Sequence, residues 1–595
     1  MTSQQFELSR RKLMQAVGIG AGAVATTSVL GACQAGGSDD EAAGGKFIYV
    51  YPFDITTQHY NAAINNAALL TSAPVAELFI PRPGILNWET QEWIPQLAES
   101  IELAETTLTI KLRSGIKWTD GNDLTAKDVV GTIYLQKLNA AQGTVGWDQL
   151  VSATADDDTT VTVTYSSVFP GVEHGAVKAQ VMPHARYGEW MDEAEQLVLA
   201  GVVQGDAEQS ALSEKIAAED FLDAEGGFIT CGAYKFDKIG ETVVTFSIHE
   251  DGLFADKVKF GTIEVQKGDN AASVQFLLAN EVDYSTQVLG ATDRSSIAGV
   301  EGLVELSTPG YDGIGLMLNQ ARFPEFADVR VRKAFQYIFD TESIGEIAKG
   351  AGGYYIPSTY TGLPDPHAEG LFDDVTLEYY STDHAKAEAL LTEAGWEKES
   401  DGWHKPDGDL AEYTIIGVEG WTDFTLSGEQ AANQLKEFGL AVSYANVPED
   451  NPWGIWGSGD FDIAVRQWAN PFVPYVYGSW QMTWFTDNSL TADNMGMGLP
   501  IDAVETETQG TVNIDDLYLA SQQGTEEEQA AANKTLGIVF NETLPRLPLF
   551  LNQRVSYGIE GKRVKTVDPG SYELNDIFFD NPIMVRILEG GIEPV

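Results

Sequence analysis

Two short stretches combine indole rings with polar side chains. The first is Gly420-Trp421-Thr422-Asp423-Phe424, and the second runs from Arg466 to Trp484. Sugar rings have apolar faces that pack on indoles, while carboxylates and amides form hydrogen bonds with hydroxyl groups. The candidate ligand contacts are Trp421, Asp423, Trp468, Asn470, Tyr475 and Trp480, with Tyr51 and, more weakly, Phe53 and Tyr60 on a facing wall. The alternative is that these aromatic rings pack the interior of the protein.

Other chemistries find little support in the residue pattern. The seven histidines are scattered without the spacing of a metal site. The glycine-rich run Lys349-Gly350-Ala351-Gly352-Gly353 lacks the residue order of a phosphate-binding loop. The sequence has neither a serine elbow nor a pair of carboxylates in a catalytic pattern. We therefore predict a protein without catalysis, cofactor or metal.

The N-terminus predicts export. Arg10 and Arg11 precede a short, glycine-rich apolar run that ends at Leu30-Gly31-Ala32-Cys33. A paired arginine before such a run is typical of a twin-arginine signal peptide, here residues 1–32. The small residues before Cys33 resemble a lipobox, whose cysteine receives a diacylglycerol that holds the protein on the membrane. The alternative is an ordinary signal peptide with a chance cysteine.

Residues 33–45 predict a flexible tether. They are rich in Gly, Ala, Ser and acidic residues, which cannot bury a core. Beyond the signal there is no apolar run of eighteen residues, so we expect no further membrane span. The predicted location is the extracytoplasmic face of the cell membrane, with the lipid on Cys33 as the anchor.

The charge of the chain limits its partners. The formal net charge is −52, with 36 basic and 88 acidic residues, and the hydrophobic content of 43% is ordinary for a folded protein. Nucleic acid is excluded as a partner because a polyanion would be repelled. Such an acidic surface stays soluble where charge is heavily screened, and so suggests a salt-loving host. A chain of 595 residues should form two or more lobes.

Local patterns predict a mixture of strands and helices in the first half of the chain. Residues 46–53 indicate a buried strand interrupted near its end by a proline. From Thr106 to Arg113 apolar and polar residues alternate, as in a half-buried strand. Asp120-Gly121 then indicates a turn, and Thr125 can cap a following helix.

Amphipathic helices are predicted further along the chain. They cover residues 328–339, 385–394 and about 429–438, and the last two end at Gly395 and Gly439. Arg332 is expected to be a helix-surface residue or an ion-pair residue between elements, and the alternative is a ligand contact. Strands and helices are mixed without a short repeat, so the fold class is α/β.

Several stretches together resemble the bacterial extracellular solute-binding proteins of family 5, which serve ABC importers of the peptide and nickel class. The matching segments are Leu97 to Ser100, Leu108 to Gly121, Leu124 to Val130, Leu318 to Asp340 and Ala385 to Trp396, with weaker matches at Gly232-Ala233-Tyr234 and Asn280 to Asp283. They occur in the order of the family and span most of the chain after the signal, so their combination is specific.

The resemblance implies a two-lobed α/β fold with an enlarged first lobe and a ligand cleft between lobes. The expected bounds are 46–309 for lobe 1, 310–548 for lobe 2 and 549–595 for the return to lobe 1, with crossings near Pro309 and between Leu544 and Tyr557. It also implies a monomer that closes by hinge motion and delivers its solute to the membrane permease. An exported hydrolase acting on oligosaccharides or peptides is the alternative.

The class of solute stays open between an oligopeptide and an oligosaccharide. Peptide binders of this family commonly hold the peptide's amino terminus with an aspartate shortly after a tryptophan. The corresponding stretch here, Arg466 to Tyr475, contains no carboxylate, so an ammonium group would lose its charged partner. The segment around Trp421 is similar to that of the oligosaccharide-binding members.

Overall fold

The computed structural model describes residues 44–51, 61–63, 74–139, 146–219, 228–448, 456, 459–470, 473–488 and 497–595. The predicted signal peptide, Cys33, most of the tether, Phe53 and Tyr60 lie outside the described residues. Within the described part, no helix combines the length and apolar character needed to cross a membrane.

The strands form one large mixed sheet and several small sheets. In chain order they are β1 (Lys46–Tyr51), β2 (Gly84–Leu86), β3 (Trp93–Pro95), β4 (Ala98–Ala104), β5 (Thr107–Leu112), β6 (Leu150–Ala155), β7 (Thr160–Tyr165), β8 (Tyr234–Ile239), β9 (Val243–Ile248), β10 (Thr262–Lys267), β11 (Tyr284–Ser285), β12 (Leu303–Leu318), β13 (Tyr354–Tyr355), β14 (Glu397–Glu399), β15 (Gly402–His404), β16 (Glu412–Val418), β17 (Ala441–Val447), β18 (Ile463–Ala469), β19 (Val504–Thr506), β20 (Gly510–Val512) and β21 (Leu547–Ile559). The large sheet has the order β17-β16-β18-β12-β21-β11-β1-β10-β9-β8, with β13 paired to β21.

Helices cover both the large sheet and the four-stranded sheet β4-β5-β7-β6. In chain order the α-helices of the described residues are α1 (Ala126–Leu138), α2 (His174–Val177), α3 (His184–Leu199), α4 (Ala207–Ala217), α5 (Asn270–Ala279), α6 (Ala291–Ile297), α7 (Val329–Ile338), α8 (Thr341–Lys349), α9 (Asp365–Ala368), α10 (His384–Glu393), α11 (Thr422–Phe438), α12 (Val476–Trp480), α13 (Ile514–Ala520), α14 (Glu526–Thr543) and α15 (Pro582–Leu588). Short 3₁₀ turns lie at Pro74–Leu78, Pro324–Ala327 and Gly570–Tyr572, and a π-helical turn lies at Gln481–Thr486. The predicted α/β class is confirmed.

The predicted strand, turn and capped helix is confirmed around residue 120. Leu108, Ile110 and Leu112 of β5 are buried, and the residues between them are half-buried or exposed. Gly121 has a φ of +88°, which glycine adopts without strain, and so closes the turn. At the start of α1 the Asp128 carboxylate accepts a hydrogen bond of 2.7 Å from the backbone N–H of Thr125. This bond satisfies a donor that the helix itself leaves free.

Arg332 joins two elements, as one predicted alternative had it, but it does so through backbone carbonyls instead of an ion pair and is not on the helix surface. Its side chain is 7% exposed, and its guanidinium donates hydrogen bonds to four backbone carbonyl oxygens. Those oxygens belong to residues 326, 327, 543 and 544, at the ends of the 3₁₀ turn and of α14. Helix ends leave carbonyls without partners, and five guanidinium N–H groups can reach several of them. Arg332 therefore joins two helix ends inside the protein.

Strands β12 and β21 connect the two sides of the large sheet. Leu303 to Pro309 pair with Ile559 to Gln553, and pairing resumes at Gly313 opposite Leu551. The register therefore breaks at residues 310–312, close to the predicted lobe crossing at Pro309. Strands β18, β16 and β17 lie on one side of this pair, and β11, β1, β10, β9 and β8 lie on the other. A change of register is a point where two paired strands can bend.

Candidate ligand cleft

Five charged side chains meet beside the register break, and we call them the ion cluster: Asp312, Lys349, Asp423, Arg554 and Asp576. Arg554 donates to Asp312 at 2.8 Å and to Asp576 at 2.9 Å. The Lys349 ammonium lies 3.3 Å from Asp423. The cluster draws on strands β12 and β21, the end of α8, the first turn of α11 and the loop before α15. It thus takes residues from both predicted lobes.

Burial governs the protonation of the ion cluster. Asp312 is fully buried, and this burial raises the pKa of its carboxyl, although Arg554 opposes the shift. Burial also lowers the pKa of the Lys349 ammonium, while Asp423 opposes that shift. Both shifts favour the neutral form, as expected for charges removed from water. Three carboxylates face two cations, so the cluster has one negative charge in excess when all five groups are ionised.

A small cavity of about 20 Å³ adjoins the ion cluster and has room for one water-sized group. Three cationic side chains line it, those of Arg294, Lys349 and Arg554, and no carboxylate does among its described lining residues. Lys349 makes one side-chain hydrogen bond within the described residues, although an ammonium has three N–H groups. Arg554 donates to Asp576 through its Nε atom and to Asp312 through its Nη2 atom. The cavity wall therefore has donors available for an oxygen atom.

A larger cavity of about 480 Å³ opens next to the small one. Its described lining residues are Pro309, Tyr355, Ser358, Asp365, Pro366, Glu369 and Gln553. Gln553 lines both cavities, so the two adjoin. Asp365 accepts hydrogen bonds from the backbone and hydroxyl of Ser358, both at 2.9 Å. We call the two cavities together the candidate cleft and the small cavity its floor: Asp365 and Glu369 line the larger cavity, and cationic side chains line the floor.

One predicted contact residue, Asp423, belongs to the ion cluster, and Trp421 lies two residues before it. Trp421 precedes α11, which begins seven residues earlier than the sequence predicted, and Asp423 lies in its first turn. The Trp421 ring is half-buried and packs edge-on against Phe424 at 5.0 Å. The neighbouring Thr422 hydroxyl accepts a 2.8 Å hydrogen bond from Asn270 of the other predicted lobe. A role for Trp421 and Asp423 in binding stays a prediction.

Two other predicted contacts, Trp468 and Trp480, are completely buried. The Trp468 indole donates a 3.1 Å hydrogen bond to the carbonyl of Phe550 and covers Gly313. A Cβ atom on Gly313 would lie 2.3 Å from the indole nitrogen, so only glycine leaves room for this ring. The Trp480 indole donates to Asn533 at 2.7 Å. In this arrangement both rings pack the interior, and their contact with a solute stays a prediction.

The remaining predicted contacts, Asn470, Tyr475 and Tyr51, are also buried. Asn470 at the end of β18 is 3% exposed, and Tyr51 at the end of β1 is 3% exposed inside the core of the first predicted lobe. Tyr475 is 6% exposed and contacts the other predicted lobe instead of an open cleft. The structure therefore places Asp423 in the ion cluster, with Trp421 two residues before it in the chain, and places the other five residues elsewhere.

Comparison with known families matches residues 92–489, about two thirds of the chain, to the bacterial extracellular solute-binding proteins, family 5 (middle part). The chain belongs to this family. Among curated relatives, the oligopeptide-binding protein OppA of Lactococcus lactis subsp. lactis (strain IL1403) is 24% identical over 428 residues. That match covers 65% of this chain and 68% of OppA.

Solved structures of similar proteins show the two-lobed fold that the sequence predicted. The oligopeptide-binding protein AppA of Bacillus subtilis, in complex with a nonapeptide, matches with a TM-score of 0.67 at 17% identity, over 91% of this chain and 99% of AppA. A mannohexaose-bound periplasmic oligopeptide-binding protein of Thermotoga maritima matches with a TM-score of 0.69 at 16% identity, over 93% and 99%. At these identities the likeness concerns the fold alone.

Most residues of the candidate cleft were not predicted from the sequence. Lys349, Arg554, Asp312 and Gln553 were not among the predicted contacts, although they line or support the floor. The local signal was weak: Asp312 comes just before the mostly apolar run 313–318, but Arg554 has polar neighbours at Asn552, Gln553 and Ser556. A buried charge needs a partner, but the pattern does not show which one.

One group of possible metal ligands exists among the described residues. Glu399, Asp401 and His404 bring ligand atoms within 4.8 Å of one another on the β14–β15 hairpin. The two carboxylates are exposed, and His404 is already hydrogen-bonded to Asp401 at 3.0 Å and to the Gly408 carbonyl at 3.0 Å. These residues are separate from the residues that line the cleft.

Proposed function

We propose that this chain is the lipid-anchored, extracytoplasmic receptor of an ABC importer and captures a peptide-sized solute between its two lobes. The observation that carries the proposal is the cleft floor, where Arg294 and Arg554 of one predicted lobe and Lys349 of the other line one cavity. A solute group held there touches both lobes at once. Such contacts exist only when the lobes are closed, so binding shifts the population toward the closed form.

An oligopeptide is the first candidate solute. Lysine and arginine donors suit a carboxylate or a carbonyl oxygen, and charged hydrogen bonds of this kind are the stronger ones. The relative OppA is named an oligopeptide-binding protein. In this chain the peptide's amino terminus would have to be held without the aspartate that the family commonly uses, since Arg466 to Tyr475 contains none.

An oligosaccharide is the second candidate solute. The half-buried Trp421 ring lies beside Asp423, which matches the combination of an apolar surface and a hydrogen-bonding group that sugars need. The Thermotoga maritima neighbour was solved with mannohexaose bound. Its likeness concerns the fold and leaves the chemistry of the solute to experiment.

A thermal-shift screen in high-salt buffer tests the proposal. Peptides of two to nine residues and manno-oligosaccharides form the two panels. A solute at 100 times its dissociation constant should add about 2.7 kcal/mol of stability. Stabilisation by members of one panel identifies the solute class, whereas no stabilisation by either panel contradicts both candidates. Mass spectrometry of the incubated solutes gives unchanged masses for a receptor and shorter products for a hydrolase.

The lipid anchor is tested separately in the producing cell. The predicted lipobox requires the thiol of Cys33, so Cys33→Ser should move the protein from the membrane fraction into the soluble extracytoplasmic fraction. The matched control is Cys231→Ser, because Cys231 is buried in the folded domain and offers no lipid site. Retention of the Cys33→Ser protein on the membrane would contradict the anchor.

A further inference from the structure

Two tyrosines of the second predicted lobe pack against the first. Tyr475 and Tyr477 stack on each other, with ring centroids 5.7 Å apart and planes inclined by 3°. Tyr475 also meets the ring of His174 edge-on at 6.1 Å, and Tyr477 meets Phe169 edge-on at 5.4 Å. We call this contact the tyrosine clasp, formed by Tyr475 and Tyr477 on one side and by Phe169, Pro170, Gly171 and His174 on the other.

Hydrogen bonds fix the position of the tyrosine clasp. The Tyr477 hydroxyl donates to the carbonyl of Pro170 at 2.9 Å. Next to it, the Gln91 side-chain amide donates to the carbonyl of Pro474 at 3.1 Å. Both bonds join residues that precede the predicted crossing at Pro309 to residues that follow it. The clasp is therefore a specific contact between the lobes.

Gly171 makes the approach of Tyr475 possible. Its φ of +81° lies in the left-handed region, and a Cβ atom there would lie 2.3 Å from Cζ of Tyr475. A side chain at this position would have to displace the ring, so the surface of the first lobe is shaped to receive it. Tyr475 and Tyr477 are 6% and 3% exposed, which leaves little of either ring available to a solute.

We infer that Tyr475 and Tyr477 are positioning residues for solute capture, which act by holding the lobes closed and not by contacting the solute. The apparent dissociation constant of a binding protein equals the intrinsic constant divided by the closed, binding-competent fraction. A contact that stabilises the closed form before binding therefore raises affinity without adding a solute contact. Only this effect on affinity rests on the proposed function, because the contact between the two predicted lobes is given by the geometry itself.

The test begins with the solute-free protein. Tyr477→Phe keeps the ring and removes one hydrogen bond, which should lower the ratio of closed to open molecules roughly fivefold. Tyr475→Ala removes a buried ring and should lower this ratio at least tenfold. Hydrogen exchange of the backbone amides of residues 172–178 should quicken by these factors, and small-angle X-ray scattering of Tyr475→Ala should show a larger radius of gyration.

A matched control separates closure from general stability. The Tyr380 hydroxyl donates to the Asn541 carbonyl at 2.7 Å within the second predicted lobe, so Tyr380→Phe removes a comparable bond away from the clasp. The Tyr380→Phe variant should have a lower unfolding midpoint. Its radius of gyration and the hydrogen exchange of residues 172–178 should be unchanged. If Tyr477→Phe behaves like Tyr380→Phe, the clasp is ordinary packing and the inference is overturned.

Affinity is measured last, with the nonapeptide and mannohexaose as probes. For whichever probe binds, Tyr475→Ala should raise the dissociation constant by the factor by which the closed fraction falls, mainly through faster dissociation, and Tyr380→Phe should leave it unchanged. An unchanged constant for Tyr475→Ala would overturn the role in capture. If neither probe binds the parent protein, the proposed solute classes fail, whereas the scattering and exchange results still decide whether the clasp closes the lobes.

Discussion

Two of the regions where the predicted lobes meet have opposite character. The tyrosine clasp is aromatic, uncharged at neutral pH and closed to solvent, and each of its described hydrogen bonds across the lobes ends on a backbone carbonyl. The ion cluster is charged and leaves donors of Lys349 and Arg554 available beside a cavity. A packed aromatic contact gains nothing from a solute, whereas an incompletely paired charge does. We therefore assign closure to the tyrosine clasp and recognition to the ion cluster within the proposed function.

The protonation of the titratable groups also differs between the two regions. Burial lowers the pKa of His174 in the clasp well below its usual range, with Lys178 and Arg82 adding to the shift, so this imidazole stays neutral at physiological pH. In the ion cluster burial opposes ionisation, but each charged group has an opposite charge nearby. The stability of the clasp thus depends on the fit of its rings, and the stability of the ion cluster depends on charge pairing.

The largest effect is expected from Arg554→Met in the ion cluster. The change leaves Asp312 and Asp576 buried without their shared cation, and breaking a buried pair in this way costs about 3–5 kcal/mol of stability. Chemical denaturation measures it. The matched control is Arg322→Met, because Arg322 and its partner Asp460 are exposed, and such a pair contributes no more than about 1 kcal/mol. Equal losses in the free energy of unfolding for both variants would mean that Arg554 does not stabilise the cluster more than an exposed ion pair does.

The next effect is expected from Lys349→Met and concerns affinity more than stability. Loss of the ammonium removes a charged donor from the cleft floor, while its partner Asp423 retains some contact with water. Hydrogen bonds to charged groups contribute about 1.5–3 kcal/mol, so the affinity for the solute found in the screen should fall roughly 10- to 100-fold by calorimetry. Lys565→Met, which alters an exposed pair with Glu593, is the control and should bind normally.

The sequence predicted local structure well because the signals are local. The cap at Thr125, the alternation in β5 and the glycine stops of α10 and α11 each depend on a few neighbouring residues. The ion cluster could not be predicted in this way, because Asp312 and Arg554 are 242 residues apart and meet only through the pairing of β12 with β21. Likewise, the burial of Trp468 depends on Gly313 in another strand, and the composition of its own segment gives no sign of that.

Two tryptophan variants would show which of these rings contacts the solute. Trp468→Phe loses the indole bond to Phe550 and part of a buried ring, and should lower stability by about 1–2 kcal/mol without changing affinity. Trp421→Ala alters a half-buried ring and should cost less stability. If the solute is an oligosaccharide, Trp421→Ala should also weaken binding about tenfold, since a lost stacking surface is worth roughly 1–2 kcal/mol. Weaker binding of Trp468→Phe would instead place that ring in the site.

The smallest effect is a change in how stability depends on pH. Because burial raises the pKa of Asp312 above its value in the unfolded chain, its contribution is fully present below about pH 4 and is lost as the pH rises through the raised pKa. The groups facing it are Arg554, Asn552, Asp576 and Lys349. Asp312→Asn cannot titrate, so the parent and the variant should diverge over this range, by no more than about 1.4 kcal/mol per pH unit. Denaturation at a series of pH values measures the difference, and parallel curves would show that Asp312 stays ionised because its pairing with Arg554 outweighs burial.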